Sequence, residues 1–352
     1  MTKIKLTKSR YVGSEHPPYI IAELGSNHNG DMNLAKKLID SAKSAGADCV
    51  KFQSWSKETI FSRVKYNENY FLADDYRQRD DFTLEQIVEE FAISETQLLE
   101  MRDYSKKIGI DFTSTPFSRK EADFLVEELN VDFIKIASMD LNNYSFLEYL
   151  SRKGKPMVLS TGLSNLSEID KAIRTIEETG NKELVILHCV AIYPPKDEEV
   201  NLRNINTLNK LYPYPIGFSD HSLGTSIPLA SVACGSCIVE KHFTLDKEMF
   251  GWDHKVSANE DEMMTLTTES KRIFEAMGSS RIHQVENDDR IESFRRSIVA
   301  ARKIKKGEVL KEDMLDCKRP GRGLPPDALK FVLGKTLMRD LDYDELLEIS
   351  DF

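Results

Sequence analysis

Long apolar runs are missing from this 352-residue chain. Without a stretch of about 18 consecutive apolar residues, no membrane-spanning helix is expected. The opening MTKIKLTKSRYVGSEHPPY carries basic residues but no apolar core before a small-residue cleavage site, so it does not read as a secretory signal. Cysteine is scarce, with five scattered residues, an odd number that fits free thiols in a reducing cytoplasm rather than a disulfide framework. Two of them, Cys234 and Cys237, form a CxxC, but within LASVACGSCIVEKH they read as small buried residues rather than a zinc or redox site. Net positive charge is also lacking. With 48 Lys and Arg against 58 Asp and Glu, the charge is −10, which argues against a broad nucleic-acid or anionic-membrane surface. Cations that serve an anionic small molecule must then be focused in a pocket.

What is present is a rhythm. Eight short β-rich runs recur at 19–24, 49–53, 110–115, 133–138, 157–161, 184–189, 215–220 and 237–243, with helical patterns between them. The runs are continuously apolar or β-branched instead of alternating, as parallel strands buried on both faces are. MNLAKKLIDSAKSAG and LSEIDKAIRTIEETG repeat apolar residues at helical spacing and stop at Gly46 and Gly180. Alternating strand and helix predicts an α/β fold, and the count of eight predicts a (β/α)8 TIM barrel. Residues 54–82 form a long polar-aromatic insertion expected to act as a lid or an oligomer contact. Near residue 278 the pattern changes. The reading is a barrel over 1–277, a linker over 278–296 and a small, loop-rich C-terminal domain over 297–352.

In such a barrel the chemistry sits at the C-terminal strand ends. Those ends carry Glu23, Lys51 with Gln53, Thr115, Lys135 with Ser138, Ser160, His188, Ser219 with His221, and Glu240 with His242. Lys51 and Lys135 lie in otherwise apolar strands. A buried ammonium must meet a substrate anion or a protein carboxylate such as Glu23. Two lysines with hydroxyls at Thr115, Ser138, Ser160 and Ser219 favour an anion pocket. His221 and His242 end neighbouring strands, and two neutral imidazoles there suit one divalent ion, with Glu23 close by if the barrel closes. His188 reads as a satisfied core histidine.

The ordered segments AELGSNHNGD, VKFQ, STPF, IKIAS, LSTG, LHC…YP, GFSDHS and EKHFTLDK resemble the sialic acid (nonulosonic acid) synthases, and RKIKKGEVLKEDMLDCKRPGRG resembles their C-terminal antifreeze-like (SAF) domain, a small β-rich module. The resemblance runs from about residue 15 to the C-terminus. It implies condensation of phosphoenolpyruvate with an open-chain N-acylated hexosamine to a nine-carbon 3-deoxy-2-keto acid plus phosphate. It also implies a divalent cofactor, Mn2+ or Mg2+, and a domain-swapped homodimer. By motif position, His221 and His242 hold the metal and Glu23 lies beside it. Lys51, Thr115, Lys135, Ser138, Ser160 and Ser219 hold phosphoenolpyruvate, with Gln53 near. Asp140, Tyr193 and Asp253 contact the sugar, and Arg319 reaches the partner's sugar.

Three positions depart from the family pattern: Asp140 in place of the usual Glu, Ala191 where some members carry a polar side chain, and the bulky Trp252. All three fall on the sugar side, so N-acetylmannosamine and 2,4-diacetamido-6-deoxyhexoses both stand as acceptors. Two other readings are a Schiff-base aldolase using Lys135 and a non-catalytic sugar-binding protein.

Overall fold

The computed structural model describes residues 3–68 and 83–352, so the 69–82 part of the insertion lies outside the described residues. Two compact units emerge, Met1–Gly278 and Ser279–Phe352.

The first unit is the barrel. Its strands are β1 (Tyr19–Gly25), β2 (Cys49–Ser54), β3 (Asp111–Pro116), β4 (Ile134–Ile136), β5 (Met157–Ser160), β6 (Leu184–Cys189), β7 (Ile216–Asp220) and β8 (Ile238–His242). All pair in parallel in the order β3-β2-β1-β8-β7-β6-β5-β4. The two ends of that order pack against each other, and across the seam Thr113 Oγ1 donates to the Phe133 carbonyl at 2.9 Å. The barrel is thus nearly closed. The main helices are α1 (Met32–Ser44), α2 (Glu95–Ile108), α3 (Arg119–Glu127), α4 (Tyr144–Ser151), α5 (Leu166–Glu178), α6 (Arg203–Leu211), α7 (Ser226–Ala233) and α8 (Glu260–Met277).

Side chains alternate in and out along each strand. The outward residues, such as Ile20, Ala22, Val50 and Val239, meet α1, α2 and α8 in one apolar cluster. Ile134, Ile136, Leu159 and Ile186 meet α4, α5 and α6 in another. The inward residues of the lower layer, Tyr19, Ile21, Cys49, Phe133, Val158, Val185, Leu187 and Ile238, fill the pore. A hairpin of Ile4–Lys5 with Tyr11–Val12 joins Ile4, Leu6 and Val12 to that cluster. The pore is plugged with hydrocarbon below, so polar side chains one layer higher are shielded from water on that side.

The second unit pairs β9 (Ser297–Ala300) with β10 (Leu315–Lys318) antiparallel. Short bridges such as Ile304 to Leu341 surround a small core of Ile298, Ile304, Leu310, Val332, Leu337, Leu341 and Leu347. The segment expected as linker contains a short helix, Asp288–Phe294, capped by Asn287, whose side chain accepts from the Arg290 amide.

Candidate active site

A cavity of about 500 Å³ opens at the C-terminal ends of the strands. Its floor is ionic and its ligand-facing groups come from strand alternation. On β8, Glu240 and His242 point inward, while Lys241 between them points out. On β7 the alternation puts Ser219 inward and Asp220 outward, and His221 follows directly after the strand. On β1 and β2, Glu23, Lys51 and Gln53 all line the cavity.

Both lysines meet carboxylates, which is the alternative the residues had left open. Lys51 forms an ion pair with Glu23, lies 3.8 Å from Glu240 Oε2 and donates to Thr115 Oγ1 at 2.8 Å. Lys135 donates to Ser160 Oγ at 2.7 Å and to the Ile136 carbonyl at 3.0 Å, with Glu240 Oε1 at 3.5 Å. Ser219 donates to that same Oε1 at 2.9 Å, and Gln53 Nε2 donates to Glu23 Oε1 at 3.1 Å. Glu240 is therefore the centre of the floor, tied to both lysines and Ser219. Its only signal in the sequence was an inward parity shared with His242.

Burial pushes the Glu23 carboxyl up to about 7 against the pull of Lys51, with Glu240 adding to the rise. Burial would raise Glu240 as well, but the Lys135 and Lys51 ammoniums outweigh it and hold Glu240 well below the usual range. Two cations thus face one firmly ionised carboxylate and one that exchanges its proton near neutrality. A floor of that kind accepts anions without presenting an unpaired ammonium in their absence.

The backbone makes room for this arrangement. Gly25 sits at φ +49°, after a register shift in β1. A Cβ there would lie 3.1 Å from Glu23 Oε1 and 3.3 Å from Gln53 Nε2, so a side chain would be strained and would crowd both groups. Gly162 is tighter still: its missing Cβ would come within 2.7 Å of Ser138 Oγ, which accepts from the Gly162 amide at 3.0 Å.

Above the floor stand the histidines, with ring centres 5.4 Å apart. His221 Nδ1–H donates to the Val190 carbonyl at 2.9 Å, which fixes the tautomer and leaves the Nε2 lone pair available. His242 is held neutral, pushed down to about 3 by burial and by the Lys51 charge. Its Nδ1 has no hydrogen-bond partner and lies 3.6 Å from Asp253 Oδ2. Tyr193 packs on His221 with ring centres 4.0 Å apart. Among the described residues no group of three or more His, Cys, Asp or Glu side chains gathers at metal-ligating spacing. Two buried imidazoles fit a divalent ion as a pair of protein ligands, with the remaining positions left to small molecules.

Of the residues singled out in the sequence, Glu23, Lys51, Gln53, Thr115, Lys135, Ser138, Ser160, Tyr193, Ser219, His221, His242 and Asp253 all line this cavity. Asp140 does not. It sits in a 3-10 turn following β4 and accepts from Asn143 Nδ2 at 3.2 Å. Arg319 belongs to the second unit, where its guanidinium lies 4.9 Å from the Phe294 ring centre. His188 points outward. Its Nε2 is 2.6 Å from the Val200 carbonyl and its ring stacks on Phe218. Inward parity on β6 falls to Cys189 instead, which lies 3.5 Å from Ser138 Oγ. Ile60 and Phe61 of the insertion, Phe117 of the STPF segment and Lys255 also line the cavity, though none was singled out as a site residue in the sequence.

A (β/α)8 barrel with buried lysines, carboxylates, hydroxyls and paired histidines at its C-terminal mouth defines an enzyme that handles small anions. The comparisons make that class specific. The NeuB family pattern matches residues 38–282 and the SAF domain pattern residues 295–352. The chain is 38 % identical to the N,N'-diacetyllegionaminic acid synthase of Campylobacter jejuni, over 93 % of this chain and 98 % of that protein. It is 35 % identical to the N-acetylneuraminate-9-phosphate synthase of Homo sapiens, over 98 % of this chain and 95 % of that protein. The solved N-acetylneuraminic acid (sialic acid) synthetase of Leptospira borgpetersenii superposes with a TM-score of 0.73 at 35 % identity, covering 83 % of this chain and 95 % of that one. The chain belongs to the NeuB family, and it is an enzyme of the phosphoenolpyruvate-dependent, carbon–carbon bond-forming class.

Proposed function

We propose that this enzyme condenses phosphoenolpyruvate with an open-chain N-acylated hexosamine, forming a nine-carbon 3-deoxy-2-keto acid and inorganic phosphate. The observation that carries this reading is the layering of the cavity, with lysines and hydroxyls below and two neighbouring histidines above. Lys51, Thr115, Lys135, Ser138, Ser160 and Ser219 hold the phosphate and carboxylate of phosphoenolpyruvate. Fixing both reactants converts a two-body encounter into an oriented one. His221 and His242 hold a divalent ion, which when bound supplies Lewis-acid polarisation of the acceptor aldehyde. Gln53 lies near phosphoenolpyruvate, and Tyr193 and Asp253 face the acceptor.

The bond forms between C3 of phosphoenolpyruvate and the aldehyde carbon. Water then adds at C2, and the tetrahedral centre expels phosphate by breaking its C2–O bond. Glu23, with its proton balanced near pH 7, is placed to take the proton from that water. In the test, phosphate is released only when phosphoenolpyruvate and an N-acylated hexosamine are both present. Lys135→Met raises the KM for phosphoenolpyruvate by roughly tenfold or more, since it removes a charge-assisted contact. Phosphate release without acceptor, or a shift confined to the acceptor's KM, would refute the assignment. The Schiff-base alternative needs an amine free to attack a carbonyl. Borohydride trapping of a pyruvate adduct on Lys135 would revive it.

The working unit is a homodimer in which Arg319 of one chain serves the partner's sugar. Exposed apolar side chains around the barrel mouth, Met139, Leu163, Ile192, Tyr193 and Leu223, support a covering surface there. Arginine suits the planar amide of an N-acyl group. Mixed dimers of Arg319→Ala and His242→Ala chains test this. Each parent is inactive, and each heterodimer regains one complete site and half of the wild-type activity. A mixture as inactive as its parents would show that no chain completes its partner's site.

A further inference from the structure

Asp253 stands on the loop between β8 and α8, and its Oδ2 comes 3.6 Å from His242 Nδ1. The base of that loop is fixed to the barrel. The Thr244 amide donates to the Ala258 carbonyl at 2.9 Å, and the Ala258 amide to the His242 carbonyl at 2.7 Å. Asn27 Nδ2, from the β1–α1 loop, donates to the Phe243 carbonyl and to Ser257 Oγ at 2.9 Å each. His254, next to Asp253, turns the other way. It does not line the cavity, it is 1 % exposed, and its ring is held from two sides. Thr244 Oγ1 lies 2.7 Å from its Nδ1, and Asn29 Oδ1 lies 3.4 Å from its Nε2. Asn29 also belongs to the β1–α1 loop, and its Nδ2 donates to the Phe250 carbonyl at 2.7 Å. One amide side chain thus touches the β8–α8 loop on both sides of Asp253. Between those points Gly251 stands at φ +153°, where a Cβ would come within 2.5 Å of His254 Cδ2 and 2.8 Å of Asn29 Oδ1.

We propose that Asn29 and His254 are positioning residues for the acceptor: they anchor the back of the turn whose front presents the Asp253 carboxylate to the cavity. The inference rests on the synthase reading above, in which Asp253 faces the acceptor. Asp253 precedes the 3-10 turn His254–Val256, and its carbonyl accepts from Ser257 Oγ at 2.6 Å and from the Ser257 amide at 3.1 Å. With that carbonyl tied and the neighbouring ring locked beneath it, the carboxylate keeps only its own side-chain rotations. A carboxylate on an unanchored loop would sample several positions, and binding would have to order it each time. Burial pushes the His254 imidazole down to about 4 against the pull of Asp253 and Asp246. The ring is therefore neutral near pH 7, and its part is to orient rather than to move a proton. Asn29 itself sits at φ +47°, a left-handed conformation that asparagine tolerates better than most side chains.

The test measures phosphate release with the N-acylated hexosamine that wild type uses best, chosen from N-acetylmannosamine and 2,4-diacetamido-6-deoxyhexoses. Asn29→Gly deletes both side-chain contacts without straining the backbone, because glycine accepts a positive φ. Its kcat/KM for the acceptor is expected to fall roughly tenfold or more, mostly through a higher KM, while the KM for phosphoenolpyruvate stays within about twofold. Thr244→Val removes the contact on the other side of the His254 ring and keeps a β-branched shape, so it shifts the same constant in the same direction. A double-mutant cycle identifies the route. In an Asp253→Ala background, Asn29→Gly changes the acceptor kcat/KM by less than about twofold, since no carboxylate is left to place. Equal rises in both KM values overturn the proposal, as does an Asn29→Gly effect that persists in full without Asp253. An acceptor KM unchanged in both Asn29→Gly and Thr244→Val overturns it too. If wild type releases no phosphate with any of these acceptors, the synthase reading itself falls and takes this inference with it.

Discussion

His242→Ala lowers phosphate release by about 10³-fold, because a Lewis acid contributes several kcal/mol at such a carbonyl. The same variant loses Mn2+ binding in a calorimetric titration of the full chain. Two features of the structure underlie this expectation. Burial keeps the His242 imidazole neutral, and its Nδ1 has no hydrogen-bond partner. His221 lies beside it, and its Nδ1–H donates to the Val190 carbonyl, which leaves the Nε2 lone pair to bind an ion. His221→Ala should behave alike, while Gln at either position retains bulk but not imidazole basicity and should not rescue. Unchanged Mn2+ affinity in both Ala variants, or full activity after exhaustive chelation, would end the metal assignment.

Asp220→Ala lowers the thermal midpoint by roughly 5–15 °C, as expected when one partner of a buried ion pair is removed at a cost of about 3–5 kcal/mol. Lys241 and Asp220 are each only 1 % exposed. They are register neighbours on β8 and β7, facing away from the pore. Lys241 Nζ lies 2.6 Å from Asp220 Oδ2 and donates to the Ser222 carbonyl at 2.7 Å, while Asp220 Oδ1 accepts from the Ser222 amide and hydroxyl. The network grips both sides of His221, so Asp220→Ala also weakens Mn2+ binding. Lys241→Met combined with Asp220→Leu restores most of the midpoint, since no charge is then left buried alone. Single variants that melt within about 1 °C of wild type would show the pair to be dispensable; that is less than the shift expected for even 1 kcal/mol in a unit of this size.

Much of this protein was legible in its residues. Eight apolar runs separated by helical patterns determine a (β/α)8 barrel, because continuous hydrocarbon on both faces suits only parallel strands covered by helices. Strand parity then picks out the mouth. Glu23, Lys51, Gln53, Thr115, Lys135, Ser160, Ser219, His221 and His242 converge there because inward positions alternate with period two. The ordered motifs and the C-terminal module carried the family, and the NeuB and SAF matches agree with it.

Tertiary structure alone decided how those charges are balanced. Lysines in apolar strands announce that an anion is required, but the partner comes from other strands, over a hundred residues away in the case of Glu240. Only barrel closure puts Glu240 between Lys51 and Lys135 and sets one carboxyl high and its neighbour low. Parity along β6 likewise depends on which residue enters the pore first, which is why His188 turns out toward Val200 and Cys189 turns in. Asp140 follows a short β4, in a 3-10 turn that carries its side chain to Asn143. The apolar side of the cavity was legible only in part, through Trp252 and the insertion. Ile60, Phe61, Phe117 and Trp252 come from the segments that follow three different strands, where no strand period places them. Their common surface exists only because Trp55 and Phe91 pack behind it.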